Sequence, residues 1–307
     1  MQTERIGSSK KMIASGETGL LFQEDLGFTS IFDRGVIPDF QSDELARART
    51  MQTACAFAWL EQNGFRTHWH KRKWSPSGKG LIVQEAKVGD KPLLSGETSL
   101  DVIGLEMLFR VRASKKFCGR VARGEVDLPI DVWQSSTPPQ RNELLSRPFV
   151  EASTKWEAVD RYLTPEEALN YVDLPIHSLH YLYRWVSQMA GYLNEFYWHA
   201  GATLIDGKVE VARCRQTDDF VLIDGISLDE LGVRFDYQEF GKNPVRDWYK
   251  SNHPDWYAAL QQAQEDYPDD PSKWPDYPAI DEKLAAEHVK RYRQMSSLLD
   301  GTLRTVF

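Results

Sequence analysis

The chain is poor in cysteine, in basic charge and in long apolar runs, and each shortage argues against a class of protein. Its three cysteines, Cys55, Cys118 and Cys214, are scattered over 307 residues and match no metal-ligand spacing. That usage speaks against a disulfide framework and for buried thiols in a reducing compartment. Only 37 Lys and Arg face 45 Asp and Glu, leaving a net charge of −8 and an isoelectric point near 5.5. Nucleic acid is not an expected partner, because nonspecific binding needs a basic footprint. No apolar run approaches a membrane span, and the opening MQTERIGSSKK lacks a signal-peptide core. A cytoplasmic protein without a membrane partner is therefore expected.

What is present is a real core and a concentrated patch of chemistry. Hydrophobic residues make up 41% and aromatics 12%, and the length suits two domains or one large one with an appendage. The stretch from Leu204 to Phe235 holds the chemistry. Residues 203–212 alternate apolar and polar, 220–223 are continuously apolar, and CRQTDD between them supplies a hairpin turn. Lys208 and Glu210, two apart, share a face, and Asp224 ends the second strand. Pairing would bring Glu210 and Asp224 together beside an ammonium, an arrangement that holds Mg²⁺ and nucleotide phosphates. The same spacing also fits the solvated face of a surface hairpin.

Elsewhere, RIGSSKKMI and GLLFQEDL read as strands joined by ASGETG, and Ser42 starts a helix that runs to Gly64. His68 and His70 alternate onto one face without a third ligand nearby, so a metal pair is disfavoured. The Gly/Ser/Pro-punctuated stretch 75–100 reads as a further hairpin at a lobe boundary. Period two over 100–112 sets Glu106, Arg110 and Arg112 on one face. Two guanidiniums there suit a phosphomonoester, or else form an exposed charged face. Thr164-Pro165-Glu166-Glu167 is a helix start, and the helix after Pro175 carries the core stripe Leu179, Leu182, Val186, Met189, Leu193 and Phe196. A last helix bears Ile280, Leu284, Val289, Tyr292, Met295 and Leu299 and closes at LDGT.

The pair DGKVEVA and VLIDGISLD…VRF resembles the SAICAR synthase family, whose members read D-x-K-x-E-F-G and then D-E-x-[ST]-P-D-[GS]-S-R-[LF]-W. Asp206, Lys208, Glu210, Asp224, Ser227, Asp229 and Arg234 fall on that pattern, with one extra residue before Arg234. The resemblance continues through Gly7 and Lys10, Ser30 and Asp33, Glu106 and Arg110, then Pro148, Phe149, Lys155, Glu157 and Asp160, and finally Lys242, Arg246, Asp247 and Trp248. Departures are Gly225 for an acid, Leu228 for proline, Glu44-Leu45-Ala46 for G-K-G, Lys115-Lys116 for G-S, and Val159 for a histidine. Arg47, Arg49, Lys115 and Lys116 are the available replacements for lost cations.

The resemblance implies an α+β fold of two lobes. Residues 1–100 would form a small antiparallel nucleotide-binding lobe with one helix, and residues 101–307 a larger α+β lobe carrying the metal and substrate sites. It also implies a ligase that uses ATP and Mg²⁺ to activate the carboxylate of an aminoimidazole ribonucleotide for attack by the amine of aspartate. Glu210 and Asp224 would hold Mg²⁺, Lys10 and Lys208 the phosphates, and Arg110 and Arg234 the substrate phosphate. Lys155 and Asp160 would serve the acceptor side, and Ser30 would line the substrate site. The partners are then small molecules, one phosphorylated carboxylate and one amino acid. The changed motifs leave two alternatives, a related ligase with another carboxylate and amine, or a noncatalytic nucleotide-binding relative.

Overall fold

A computed structural model describes residues 3–306 apart from Ala158, Val159 and Asp269. Three antiparallel strands open the chain, β1 (Glu4–Ile6), β2 (Lys10–Ala14) and β3 (Leu20–Asp25). RIGSSKKMI is two strands rather than one. The Gly7 N–H donates to the Lys10 carbonyl at 2.8 Å and reverses the chain, so that Arg5 pairs with Met12. That reversal sets Lys10 at the first position of β2. The short strands β4 (Phe28–Ser30) and β5 (Val36–Gln41) pair only with each other. Helix α1 (Asp43–Gln62) starts as expected, with the Ser42 hydroxyl accepting from the Leu45 N–H at 3.3 Å. Strands β6 (Trp69–Trp74) and β7 (Gly80–Gln84) then complete a five-stranded sheet in the order β1-β2-β3-β7-β6. The hairpin expected within 75–100 has its turn, at Ser75–Gly80, and its second strand in that stretch, while its first strand precedes it.

The second sheet is larger. After β8 (Ala86–Lys87) come the long β9 (Leu100–Arg112) and helix α2 (Lys115–Ala122). Next are β10 (Leu144–Thr154), β11 (Tyr162–Leu163), helix α3 (Pro165–Tyr171) and helix α4 (Ile176–His199). A capping box between Thr164 and Glu167 fixes the start of α3. All six predicted stripe residues of α4 are buried, as an amphipathic helix lying on a sheet requires. Strands β12 (Thr203–Cys214), β13 (Phe220–Ile223), β14 (Leu231–Phe235) and β15 (Gln238–Phe240) finish the sheet, ordered β11-β10-β9-β12-β14-β15. Helices α5 (Asn243–Asn252), α6 (Pro254–Asp266) and α7 (Glu282–Val306) close the chain. Helix α7 does not stop at Gly301 but runs on to Val306.

One feature of this topology creates the site. The first half of β12 pairs with β14 and the second half with β13, while β9 runs along its other edge. The sheet therefore forks at Lys208–Val209, and residues 224–230 arch over the fork. The apolar core is continuous from Leu21 in the first sheet through α1 to Leu299 in α7. No described helix is long and apolar enough to cross a membrane.

Candidate functional site

Alternation along β12 points Lys208 and Glu210 to the same side at the fork. The register pairs Glu210 with Ile223, so Asp224 follows one residue beyond. Asp224 takes a left-handed backbone, φ 65°, and its carbonyl is held by Gln23 Nε2 at 2.8 Å and His68 Nε2 at 3.2 Å. Burial lowers the His68 pKa to about 4, so the ring is neutral at physiological pH. The first sheet thus anchors a turn of the second. Between them opens a cleft of about 330 Å³, lined among others by Lys10, Ser30, Asp33, Glu106, Lys208, Glu210, Asp224, Glu230 and Arg246.

Glu106, Glu210, Asp224 and Glu230 each have a lysine beside them. Lys10 Nζ is 2.8 Å from Asp224 Oδ2 and 3.6 Å from Glu230 Oε1. Burial works against the Lys10 charge, but the two acids outweigh it and hold the ammonium protonated. Asp224 is correspondingly lowered, its burial outweighed by Lys10. Lys155 pairs with Glu210, and Lys208 donates to Glu106 at 2.8 Å with Asp160 at 3.8 Å. Glu210 is raised by burial and by the charge of Asp224, so these two carboxylates repel one another across the fork. A Cβ at residue 225 would lie 2.9 Å from Lys10 Nζ. Gly225, at the position where the family pattern has an acid, leaves the ammonium room against the backbone.

Asp229 and Lys242, which also line the cleft, belong to a largely buried ionic network. Asp229 accepts from Tyr292 at 2.7 Å and pairs with Arg49 and Lys242, each at 3.0 Å. Arg49 reaches Asp25 at 3.4 Å. Asp229 is held well below the carboxylate range because Arg49 and Lys242 outweigh its burial. Asp229 and Lys242 stood on the family pattern, which was the available signal. Glu230 carried none.

The predicted residues divide cleanly. Lys10, Ser30, Lys208, Glu210 and Asp224 line the cleft, with Lys155 and Asp160 attached to it through Glu210 and Lys208. Arg110 and Arg234, expected at the substrate phosphate, are not among the residues lining this cleft. Arg110 is buried in an ion pair with Glu151 and packs over Phe117, centroid distance 4.7 Å. Glu151 also binds Arg120 at 2.8 Å, so Arg110 and Arg120 serve a carboxylate of the protein itself, while Arg112, on the same strand face, donates to the Asn142 carbonyl at 3.1 Å. Arg234 donates to the Tyr237 carbonyl at 3.1 Å across its own hairpin. The expected replacement cations also lie outside the cleft lining. Arg49 is in the buried network, Arg47 is exposed near Asp43, and Lys116 sits over the Tyr162 ring. Leu45, at the lost lysine position, is fully buried in α1. Val159 lies outside the described residues.

The donor set can be tested against Mg²⁺. Among the described residues no three His, Cys, Asp or Glu side chains form a metal cage. Two mutually repelling carboxylates at an open cleft nevertheless fit a hard cation that keeps several waters and shares substrate phosphates.

The family model described as SAICAR synthetase matches residues 30–263. A putative phosphoribosylaminoimidazole-succinocarboxamide synthase of Archaeoglobus fulgidus is 28% identical over 251 residues, 76% of this chain and 74% of its own. The solved SAICAR synthase of Saccharomyces cerevisiae, complexed with SAICAR, has a TM-score of 0.67 at 14% identity, covering 97% of this chain and 94% of its own. A type-2 SAICAR synthetase structure in complex with ADP has a TM-score of 0.61 at 19% identity, over 79% of this chain and 89% of its own. The expected α+β fold, with its curled antiparallel sheet, is the fold of these enzymes. With three quarters of its length matched, the chain belongs to the SAICAR synthetase family of ATP-dependent ligases.

Proposed function

We propose that the protein joins the carboxylate of an aminoimidazole ribonucleotide to the amine of aspartate, with ATP converted to ADP and phosphate. The observation that carries this reading is the lysine–carboxylate constellation at the fork, Lys10–Asp224, Lys155–Glu210 and Lys208–Glu106. A carboxylate is a poor electrophile until one of its oxygens becomes a leaving group, and phosphorylation by ATP supplies that group. Phosphoryl transfer is served mainly by positioning and charge neutralisation. Lys10 and Lys208 offer fixed point charges to the phosphates. Glu210 and Asp224 would hold Mg²⁺, which when bound offsets phosphate charge. Arg246 lines the cleft and its guanidinium bonds only Asn243, at 3.2 Å, among the described residues. It is the cleft guanidinium left to bind the substrate phosphate bidentately.

A second reading is favoured by one specific observation. Where relatives carry G-K-G, Leu45 is buried in the helix, and an apolar group there offers nothing to a dianionic amino acid. A ligase of the same chemistry with another amine fits that loss. Measuring ADP formation with aminoimidazole carboxylate ribonucleotide and a panel of amines separates the two. Turnover requiring aspartate supports the first reading, and turnover with another amine alone supports the second.

A further inference from the structure

The amine that attacks an activated carboxylate arrives as an ammonium and has no lone pair to offer. Something at the cleft must take its proton, and the lysines there are already protonated. Asp160 stands half-exposed at the rim, 3.8 Å from Lys208 Nζ, and the charge of Glu106 acts on it. Glu106 is itself held by Lys208 at 2.8 Å. Asp33, beyond β4, lines the cleft, and its charge also acts on Asp160. One cation therefore serves two carboxylates, with a third acid nearby. We propose that Asp160 is the proton acceptor for the incoming amine, with Glu106 positioning Lys208 beside it. The inference rests on the ligase reading above.

One N–H proton passes from the ammonium to the Asp160 carboxylate, freeing the nitrogen lone pair. The C–N bond forms, the bond from the acyl carbon to the phosphate oxygen breaks, and phosphate leaves with that electron pair. The second N–H proton departs with the phosphate, leaving one hydrogen on the amide nitrogen. Asp160 later returns its proton to solvent. Burial first, and then the Glu106 charge, raise the Asp160 pKa to about 6, against the opposing pull of Lys208. Raising it towards that of the amine makes it a better base than an ordinary aspartate, while it remains mostly ionised at neutral pH.

Hydroxylamine separates this role from a structural one, because it is largely unprotonated at neutral pH and needs no base to attack. The test compares Asp160→Asn with the wild-type chain, measuring amide formation with the amino acid and hydroxamate formation with hydroxylamine. The expected result is a rise of about a hundredfold or more in the hydroxamate-to-amide ratio of the variant, the usual range of a lost general base. Asp160→Glu should restore part of the amide rate. An equal loss of both products, or an unchanged ratio, overturns the assignment. If the wild-type enzyme forms neither product from a carboxylate and ATP, the ligase reading itself fails, and that outcome is distinct from the others.

Discussion

Removing the Asp229 side chain tests the largely buried ionic network at the cleft. Asp229→Ala deprives Arg49, whose side chain is 3% exposed, of its nearer carboxylate and leaves only Asp25 at 3.4 Å. It also strands the Lys242 ammonium and the buried Tyr292 hydroxyl. Breaking a buried ion pair from one side costs about 3–5 kcal/mol, because the remaining charge is uncompensated. At about 2–3 °C per kcal/mol for a chain of this size, the melting temperature should fall by about 6–15 °C. Asp229→Asn keeps an acceptor for Tyr292 but not the charge, and should fall part of the way. The pH dependence has a fixed sign. Asp229 is depressed in the folded chain, so its contribution is full above its unfolded value of about 4 and is lost as pH falls through the folded one. The wild-type and Asn proteins should therefore differ at pH 8 and converge well below pH 4. Circular-dichroism melts at several pH values read this directly. An Asn variant as stable as wild type at pH 8 would refute the reasoning.

Three further outcomes are expected. Glu210→Gln and Asp224→Asn should each abolish nucleotide-dependent turnover with the far-UV spectrum unchanged, since both face the open cleft; near-normal rates at saturating Mg·ATP would remove the metal assignment. Gly225→Ala should push the Lys10 ammonium off Asp224 and raise the KM for ATP several-fold with little loss of stability, and an unchanged KM counts against the Lys10 role. His288 is lowered to about 3 by burial, whereas the unfolded chain takes that proton below about 6.5. Its contribution is therefore full above that pH and declines as pH drops, by up to about 1.4 kcal/mol per unit, so His288→Gln should flatten stability between pH 7 and 5; parallel profiles would contradict this.

The legible parts of the sequence were those decided locally. Alternation over 203–212 gave β12, Pro175 and an apolar stripe gave α4, and Thr164 with Glu167 gave the capping box. Glu210 and Asp224 were readable as neighbours because a hairpin fixes its own register. The partners of those residues were not readable. Lys155 meets Glu210 only because β10, β9 and β12 lie side by side, and Lys10 meets Asp224 only because the first sheet closes over the fork. Arg110 shows the same limit in reverse. Its strand face was readable, but Glu151, which neutralises it, comes from β10, and no spacing within β9 announces that strand. Helix α7 runs past the LDGT stretch because a glycine near a helix end stops it only where a left-handed residue is needed, and Gly301 has no such φ.

The most direct test of the central claim follows an oxygen atom. Substrate labelled with ¹⁸O in its carboxylate is incubated with ATP, Mg²⁺ and aspartate, and the released phosphate and the amide are weighed by mass spectrometry. Activation by phosphorylation predicts one ¹⁸O in the phosphate for every amide formed. Amide formed with unlabelled phosphate would contradict it.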